Sequence, residues 1–235
     1  DKNKLNELIN SLPFKLTNDQ LKAIDDVKSD FNGEKRMNRL LLGDVGSGKT
    51  IVGVIASYIN YLNGYQTSLM APTEILATQH YYGIKKALKD TNMVIELLTG
   101  SMTKKEQNNI KERLISGEID LLIGTHAIIS KDVYFKKLGL VITDEQHRFG
   151  VNQRCYLQNK GEVPDIIYMS ATPIPRTYAL TLYGDMDISM IKEKPKGRKD
   201  ITTYIKKNNE IKDVLNMMVD EIKANHQIYV VAPLI

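Results

Sequence analysis

Cysteine and histidine are scarce in this chain of 235 residues. The single cysteine, Cys155, excludes an internal disulfide and suits a reducing compartment. The four histidines are scattered and, together with one cysteine, show no spacing typical of a metal site. The sequence indicates no role for Cys155.

The chain also lacks long apolar runs, internal repeats and low-complexity tracts. No apolar stretch is long enough to span a bilayer, and the first residues do not have the pattern of a signal peptide. A composition of 42% hydrophobic and 26% charged residues is typical of a soluble globular protein. The net charge of +4 permits a polyanionic partner but does not argue for one. We therefore expect no membrane partner.

What the sequence does contain is an octapeptide typical of phosphate-binding loops. Residues 43–50 read GDVGSGKT and fit the pattern G-x-x-x-x-G-K-[ST]. The short, mainly apolar run at residues 39–42 predicts a strand before the loop, and residues 51–62 predict a buried helix after it. Glycines let consecutive N–H groups turn around a phosphate, and the helix N-terminus adds partial positive charge. The pattern therefore predicts a nucleoside triphosphate ligand.

Two residues of the loop have predicted chemical roles. We expect Lys49 to reach the β- and γ-phosphates and the Thr50 hydroxyl to bind Mg²⁺. The predicted loop contacts to the nucleotide are Gly43, Asp44, Val45, Gly46, Ser47, Gly48, Lys49 and Thr50.

A pair of acidic residues follows a later apolar run. Residues 138–143 predict a strand that ends in Asp144 and Glu145. We expect Asp144 to hold Mg²⁺ through its water shell and Glu145 to orient and deprotonate the attacking water. A small-molecule kinase needs no water-activating glutamate here, so this pair favours hydrolysis.

Two roles are predicted for Gln20, and they can coexist. Thr17 and Gln20 have the spacing of a capping box at the start of a predicted helix. Alternatively, the Gln20 amide reads the edge of an adenine while Phe14 packs near the base, since an amide offers both a donor and an acceptor. Spacing alone favours the cap.

Apolar runs alternate with helical segments along the chain. The runs are residues 39–42, 67–71, 93–98, 119–124, 138–143 and 165–170. This alternation predicts an α/β fold with a mainly parallel sheet and helices on both faces, in which ligands bind at the carboxyl ends of the strands. Small or hydroxyl-bearing turns after three strands can form a track for a sugar-phosphate backbone. The residues of these turns that we single out are Pro72, Thr73, Gly100, Thr125 and His126.

These motifs resemble a known family. GDVGSGKT, APTE (71–74), DEQH (144–147) and SAT (170–172) occur in the order found in the first motor domain of superfamily 2 helicases. Longer strings resemble the bacterial RecG-type branched-DNA helicases, and the likeness covers nearly the whole chain. These strings are FKLTNDQ (14–20), MAPTEILATQH (70–80), DEQHRFGVNQR (144–154), MSATPIPRT (169–177), GDMDIS (184–189) and VVAPLI (230–235).

The resemblance implies a RecA-like P-loop NTPase domain that uses ATP and Mg²⁺ to remodel branched DNA such as stalled forks and Holliday junctions. It implies that Lys49, Asp144 and Glu145 are catalytic and that Gln20 contacts adenine. It further implies that Ser170 and Thr172 couple nucleotide state to DNA, with His147 on the nucleotide side. It also implies a bacterial cytoplasmic protein.

Other functions stay open at this point. One is a binding module that uses the nucleotide to change shape for a protein partner, although Glu145 argues mildly against it. Another is an RNA helicase, because the short motifs do not separate DNA from RNA. The transcription-repair coupling translocases share several strings, but Gln146 and His147 favour the RecG type.

The resemblance also divides the chain. We expect a first motor domain at residues 1–192, a basic linker at 193–200 and the start of a second motor domain at 201–235. Within that last part we expect strands at 201–205 and 228–235, the latter packing in this chain or on a second copy. We expect the chain to be a fragment that lacks two parts found in relatives: the wedge domain that recognises the branch, and the rest of the second motor domain with its arginine finger. We therefore expect weak hydrolysis alone, since an arginine finger is worth about 10³–10⁵ in rate.

Overall fold

The computed structural model describes residues 2–130, 132–144, 164–171, 186–193 and 202–232. The chain divides into two compact units, residues 1–196 and 197–235. This division lies close to the predicted boundary, while the roles assigned to the two parts stay predictions.

The first unit alternates strands and helices. Its described strands are β1 (Asn38–Gly43), β2 (Gln66–Met70), β3 (Ile95–Leu98), β4 (Leu121–Gly124), β5 (Leu138–Asp144), β6 (Asp165–Ser170) and β7 (Asp187–Ile191). Its described helices are α1 (Lys2–Ser11), α2 (Asn18–Phe31), α3 (Lys49–Leu62), α4 (Glu74–Ala87) and α5 (Lys104–Ser116), and a 3-10 turn covers His126–Ile129.

All seven described strands form one sheet in the order β3-β4-β2-β5-β6-β1-β7. Every pair is parallel, so the carboxyl ends of the strands lie at one edge. Hydrophobic clusters cover both faces of the sheet, with α1 to α4 contributing to one and α5 to the other. The predicted α/β fold is therefore confirmed.

Alternation along each strand supplies both faces of the core. In β1 the Leu41 side chain packs in the cluster with α2 and α3, whereas Leu40 and Leu42 pack in the opposite cluster. Helix α3 is buried from Ile51 to Tyr58, as expected for a helix with almost no polar face. Burial on both faces explains why the strands read as continuous apolar runs.

Three helices begin at threonine caps near the carboxyl edge. Thr17, Thr73 and Thr103 accept hydrogen bonds from the N–H groups of Gln20, Leu76 and Glu106. Such caps satisfy N–H groups that the first helical turn leaves without partners. The predicted capping box at Thr17 and Gln20 is confirmed.

The second unit differs from the prediction. It contains helix α6 (Ile211–Lys223), preceded by a 3-10 turn at Asn208–Glu210. Residues 202–207 and 226–232 form no strand, so the strand predictions are wrong for these residues. The side chains of Tyr229, Val230 and Val231 are exposed. A strand needs a neighbouring strand for its N–H and C=O groups, and none lies beside these described segments.

Strand β7 is not among the strands predicted from the sequence. It pairs with β1 at the edge of the described sheet, and Lys192 and Glu193 just after it donate backbone N–H bonds to the Asp19 carboxylate. These N–H bonds hold the pKa of Asp19 below its usual range, so it stays ionised at neutral pH. Among the described residues, no helix has the length and apolar character needed to cross a membrane.

A buried ion pair joins α2, β1 and β7. The Arg39 guanidinium donates to both oxygens of Asp30 at 2.6 and 2.9 Å and to the Ser189 hydroxyl at 2.9 Å. The Ser189 hydroxyl in turn donates to Asp26 at 2.6 Å. The Arg39 side chain is only 9% exposed, so these partners are needed to offset the free-energy cost of burying its positive charge.

We expect Arg39→Met to lower the free energy of unfolding by about 3 kcal/mol, because it leaves partly buried carboxylates without their cation. Arg113→Met is the matched control, since Arg113 pairs with Glu96 and Glu118 at greater exposure, and we expect it to cost about 1 kcal/mol or less. Urea unfolding of the 235-residue chain measures both. Equal losses in the two variants would contradict this ranking.

Candidate active site

The loop at residues 43–50 connects β1 to α3 and needs its glycines. Gly46 and Gly48 have φ angles of 76° and 86°, a region that residues with a side chain rarely adopt. A Cβ atom on Gly43 would lie 2.5 Å from the Ser47 hydroxyl oxygen. The loop can therefore fold tightly only with glycine at these positions.

The Lys49 ammonium group lies over this loop. Its Nζ donates to the backbone carbonyls of Gly43 at 2.6 Å and Asp44 at 3.0 Å. Helix α3 begins here without a capping side chain, since its cap residue is Gly48. A positive side chain and an uncapped helix N-terminus together favour an anion.

Gln20 is buried and joins the helix cap to the loop. Its side-chain oxygen accepts from the Thr17 N–H at 2.9 Å, and its amide nitrogen donates to the Ser47 carbonyl at 2.8 Å. An amide nitrogen has two hydrogens and an amide oxygen two lone pairs. One donor and one acceptor position therefore remain after these two bonds, which is the set that an adenine edge requires. The structure thus lets the cap and the base contact coexist.

An open, mainly apolar pocket of about 670 Å³ lies beside the loop and Gln20. Phe14 is 51% exposed and lines it, together with Thr50 and Ile51 of α3 and His80 and Gly83 of α4. An exposed aromatic ring over an apolar pocket with one buried amide suits a flat nucleobase. The predicted positions of Phe14 and Gln20 are thus brought together.

Asp144 ends β5 and contacts His80, a residue for which the sequence analysis predicts no role. The His80 Nε2 atom lies 2.8 Å from Asp144 Oδ2, and the two side chains are 12% and 17% exposed. One sequence signal marks His80. It lies among the buried residues Ala77 and Ile84 at helical spacing, where a polar side chain needs a partner.

Strand register places the remaining nucleotide-side residues. Asp144 is paired with Met169 of β6, and the next residue, Ser170, is paired with Leu42 of β1. Ser170 is buried and lies at the end of the strand between the acid and the phosphate loop. The sheet therefore brings the predicted coupling residue next to both parts of the site.

The predicted backbone track lies on the other half of this edge. The turns after β2, β3 and β4 carry Pro72, Thr73, Gly100, Thr125 and His126. Pro72 and Thr73 are half-buried, Thr125 is buried, and Gly100 and His126 are exposed. These strands are neighbours in the order β3-β4-β2, so their turns adjoin one another.

Glu74 fastens two of these turns together. Its carboxylate accepts from the Ser101 N–H at 3.0 Å. The Ser101 hydroxyl and N–H groups hold the pKa of Glu74 below its usual range. The bound form is the carboxylate, so this contact is complete at neutral pH and is lost only as the pH falls through the lowered pKa.

Several predicted residues lie outside the described part of the chain. These residues are Glu145, His147 and Thr172, and Cys155 lies there too. Their roles stay predictions.

The described residues fit a nucleoside triphosphate with Mg²⁺. The Ser47 side-chain oxygen is buried in the loop without a hydrogen-bond partner in the described structure. Thr50 and Asp144 supply hydroxyl and carboxylate oxygens, the donors that Mg²⁺ prefers. No group of three His, Cys, Asp or Glu side chains in the described ranges could hold a metal by itself.

Comparisons with known proteins agree with this geometry. A sequence model of the DEAD/DEAH box helicase family matches residues 17–181. The ATP-dependent DNA helicase RecG of Bacillus subtilis (strain 168) is 50% identical over 232 residues, which are 99% of this chain and 34% of the relative. RecG of Thermotoga maritima is 50% identical over 229 residues, 97% of this chain and 29% of the relative. The chain thus spans about a third of the length of the curated relatives it matches.

Solved structures give the same result. A structure of RecG bound to a three-way DNA junction superimposes with a TM-score of 0.89 at 46% identity, covering 100% of this chain and 32% of that one. The DEAD-box helicase Mss116, bound to ssRNA and UDP-BeF, gives a TM-score of 0.69 at 18% identity over 96% of this chain and 51% of that one. The second likeness shows the fold alone. The RecG-type resemblance and the RecA-like fold are confirmed.

The loop glycines can be tested by stability. We expect Gly48→Ala to destabilise the chain by more than about 1 kcal/mol, because its positive φ disfavours a side chain and a Cβ atom would collide with the Gln20 amide. Gly83→Ala is the control, since a Cβ there meets no atom within 4 Å. In the interior of α4 we expect it to stabilise by about 0.5–1 kcal/mol. Urea unfolding without nucleotide measures the free energy of unfolding of both variants. If the two substitutions changed it in the same direction, Gly48 would not be a position that requires glycine.

Proposed function

Because this chain belongs to the DEAD/DEAH box helicase family and matches RecG helicases along its whole length, we propose that it is the ATP-hydrolysing motor part of a RecG-type DNA helicase. The observation that carries the proposal is the meeting of the glycine loop, Lys49 and Asp144 at one edge of a parallel sheet. The activity of the whole protein, coupling ATP hydrolysis to remodelling of branched DNA in recombination and repair, is part of this proposal.

The described residues supply binding and orientation. The loop N–H groups and Lys49 hold the phosphates, while Gln20 reads the adenine edge with its remaining donor and acceptor. Thr50 and Asp144 hold Mg²⁺, which neutralises charge on the phosphates when bound. Glu145 follows Asp144 and orients the attacking water as its general base.

The DNA part of the proposal rests on the other half of the edge. The turns at Pro72–Thr73, Gly100 and Thr125–His126 carry small and hydroxyl-bearing residues, a composition that suits contacts to a sugar-phosphate backbone. One solved structure that this chain resembles, that of RecG, is bound to a three-way DNA junction. Ser170 and Thr172 connect this half to the nucleotide, and His147 acts on the nucleotide side.

The wider setting is also proposed. Residues 1–192 serve as the first motor domain, 193–200 as a linker and 201–235 as part of a second motor domain. The proposed location is the bacterial cytoplasm, which suits a protein that acts on chromosomal DNA.

The choice of nucleic acid can be tested by fluorescence anisotropy. We expect the 235-residue chain to bind a labelled three-way DNA junction more tightly with Mg²⁺ and a non-hydrolysable ATP analogue than without nucleotide. We also expect it to prefer this junction over an RNA junction of the same sequence. Contacts to the phosphates of the nucleic acid should make binding weaken steeply with added salt.

A linear DNA duplex of equal length is the control for branch preference. Equal binding of linear duplex and junction would mean that this chain reads only the backbone. Tighter binding of the RNA junction would favour the RNA helicase alternative. Equal affinity for the DNA junction with and without the ATP analogue would contradict a motor role.

A further inference from the structure

Helix α4 carries a histidine on the side that faces the core. Its buried residues Ala77 and Ile84 are followed by the buried cap residue Leu88. His80 is three residues after Ala77 and four before Ile84, so it lies on the same stripe. A polar ring at such a position costs free energy unless it is hydrogen-bonded.

The partner of this ring is the acid assigned to the metal. His80 Nε2 and Asp144 Oδ2 are 2.8 Å apart, although the residues are 64 positions apart in the chain. An ionised carboxylate can only accept, so Nε2 carries the hydrogen in this contact. The bond fixes one carboxylate oxygen and thereby restricts the rotation of the whole group.

The same helix touches both halves of the sheet edge. Its first turn is capped by Thr73, and Glu74 holds the Ser101 turn on the proposed DNA side. Further along, His80 and Gly83 line the pocket beside the phosphate loop. Helix α4 begins after β2, and β2 adjoins β5, which ends at Asp144. It is therefore a rigid element with contacts to each side.

We propose that His80 is a positioning residue that orients the Asp144 carboxylate for Mg²⁺–nucleotide, and that α4 connects this acid to the Thr73 and Ser101 turns. The inference deepens the proposed function and rests on it. A residue that hydrogen-bonds a carboxylate near the metal fixes the direction of its oxygens toward the metal and its water shell. Loss of an outer contact of this kind typically weakens metal affinity about 10–100-fold.

The alternative is that His80 only fills space in the pocket wall. Two substitutions separate the roles. His80→Leu keeps an apolar side chain of similar bulk but removes the donor. His80→Gln keeps an uncharged N–H donor of similar reach. A space-filling role predicts that Leu is tolerated, whereas a positioning role predicts that only Gln restores function.

The experiment measures affinity for a fluorescent ATP analogue with Mg²⁺ and with EDTA, in the wild-type 235-residue chain and in both variants. We expect His80→Leu to lower the Mg²⁺-supported gain in affinity about 10-fold, with little change in EDTA or in the urea midpoint. His80→Gln should recover most of the gain. In an Asp144→Asn background, His80→Leu should add no further loss of the Mg²⁺-supported gain, because the carboxylate that His80 is proposed to orient is already absent.

Each outcome decides a different point. A normal Mg²⁺ response in His80→Leu would overturn the positioning role while leaving the proposed function intact. An equal loss with Mg²⁺ and with EDTA would assign His80 to the pocket wall and overturn it as well. A wild-type chain that binds no nucleotide with Mg²⁺ would instead overturn the proposed function.

Discussion

The parallel direction of the sheet is the constraint on which the site depends. Strands that run the same way must end at the same edge, so turns far apart in sequence become neighbours. Gly43 and Asp144 are separated by about a hundred residues of chain, yet only β6 lies between their strands. The register then places Ser170 at the end of β6, one step from each. No single motif could form this site without the sheet.

The strand order also divides the edge by chemistry. The ends of β5, β6 and β1 carry Asp144, Ser170 and the glycine loop, whereas the ends of β3, β4 and β2 carry the hydroxyl-bearing turns. Helix α4 starts at the border between these halves, and its Glu74 and His80 side chains reach one half each. Coupling of nucleotide state to a bound strand requires an element with contacts on both sides. Helix α4 has such contacts, with Asp144 on one side and the Ser101 turn on the other.

Local patterns predicted what local physics determines. The phosphate loop follows from glycine spacing, and the Thr17–Gln20 cap follows from a three-residue offset; both are confirmed as structure. The contact of Gln20 with the Ser47 carbonyl and that of His80 with Asp144 join distant segments, so spacing alone could not show them. The strand predictions around 202–205 and 228–232 failed because an apolar pattern forms a strand only beside a pairing partner. Strand β7 was missed because its polar residues, such as Ser189, are satisfied by Arg39 and Asp26.

The central claim is that this edge binds Mg²⁺–ATP through the loop and its lysine. Titration calorimetry of the 235-residue chain with Mg²⁺–ATP tests it most directly. Lys49→Ala is the site variant, and Lys35→Ala, at an exposed lysine just before β1, is the charge-matched control. We expect binding in the wild type and in Lys35→Ala, and loss of most affinity in Lys49→Ala. Equal affinity in Lys49→Ala and the wild type would place the nucleotide elsewhere and contradict the account.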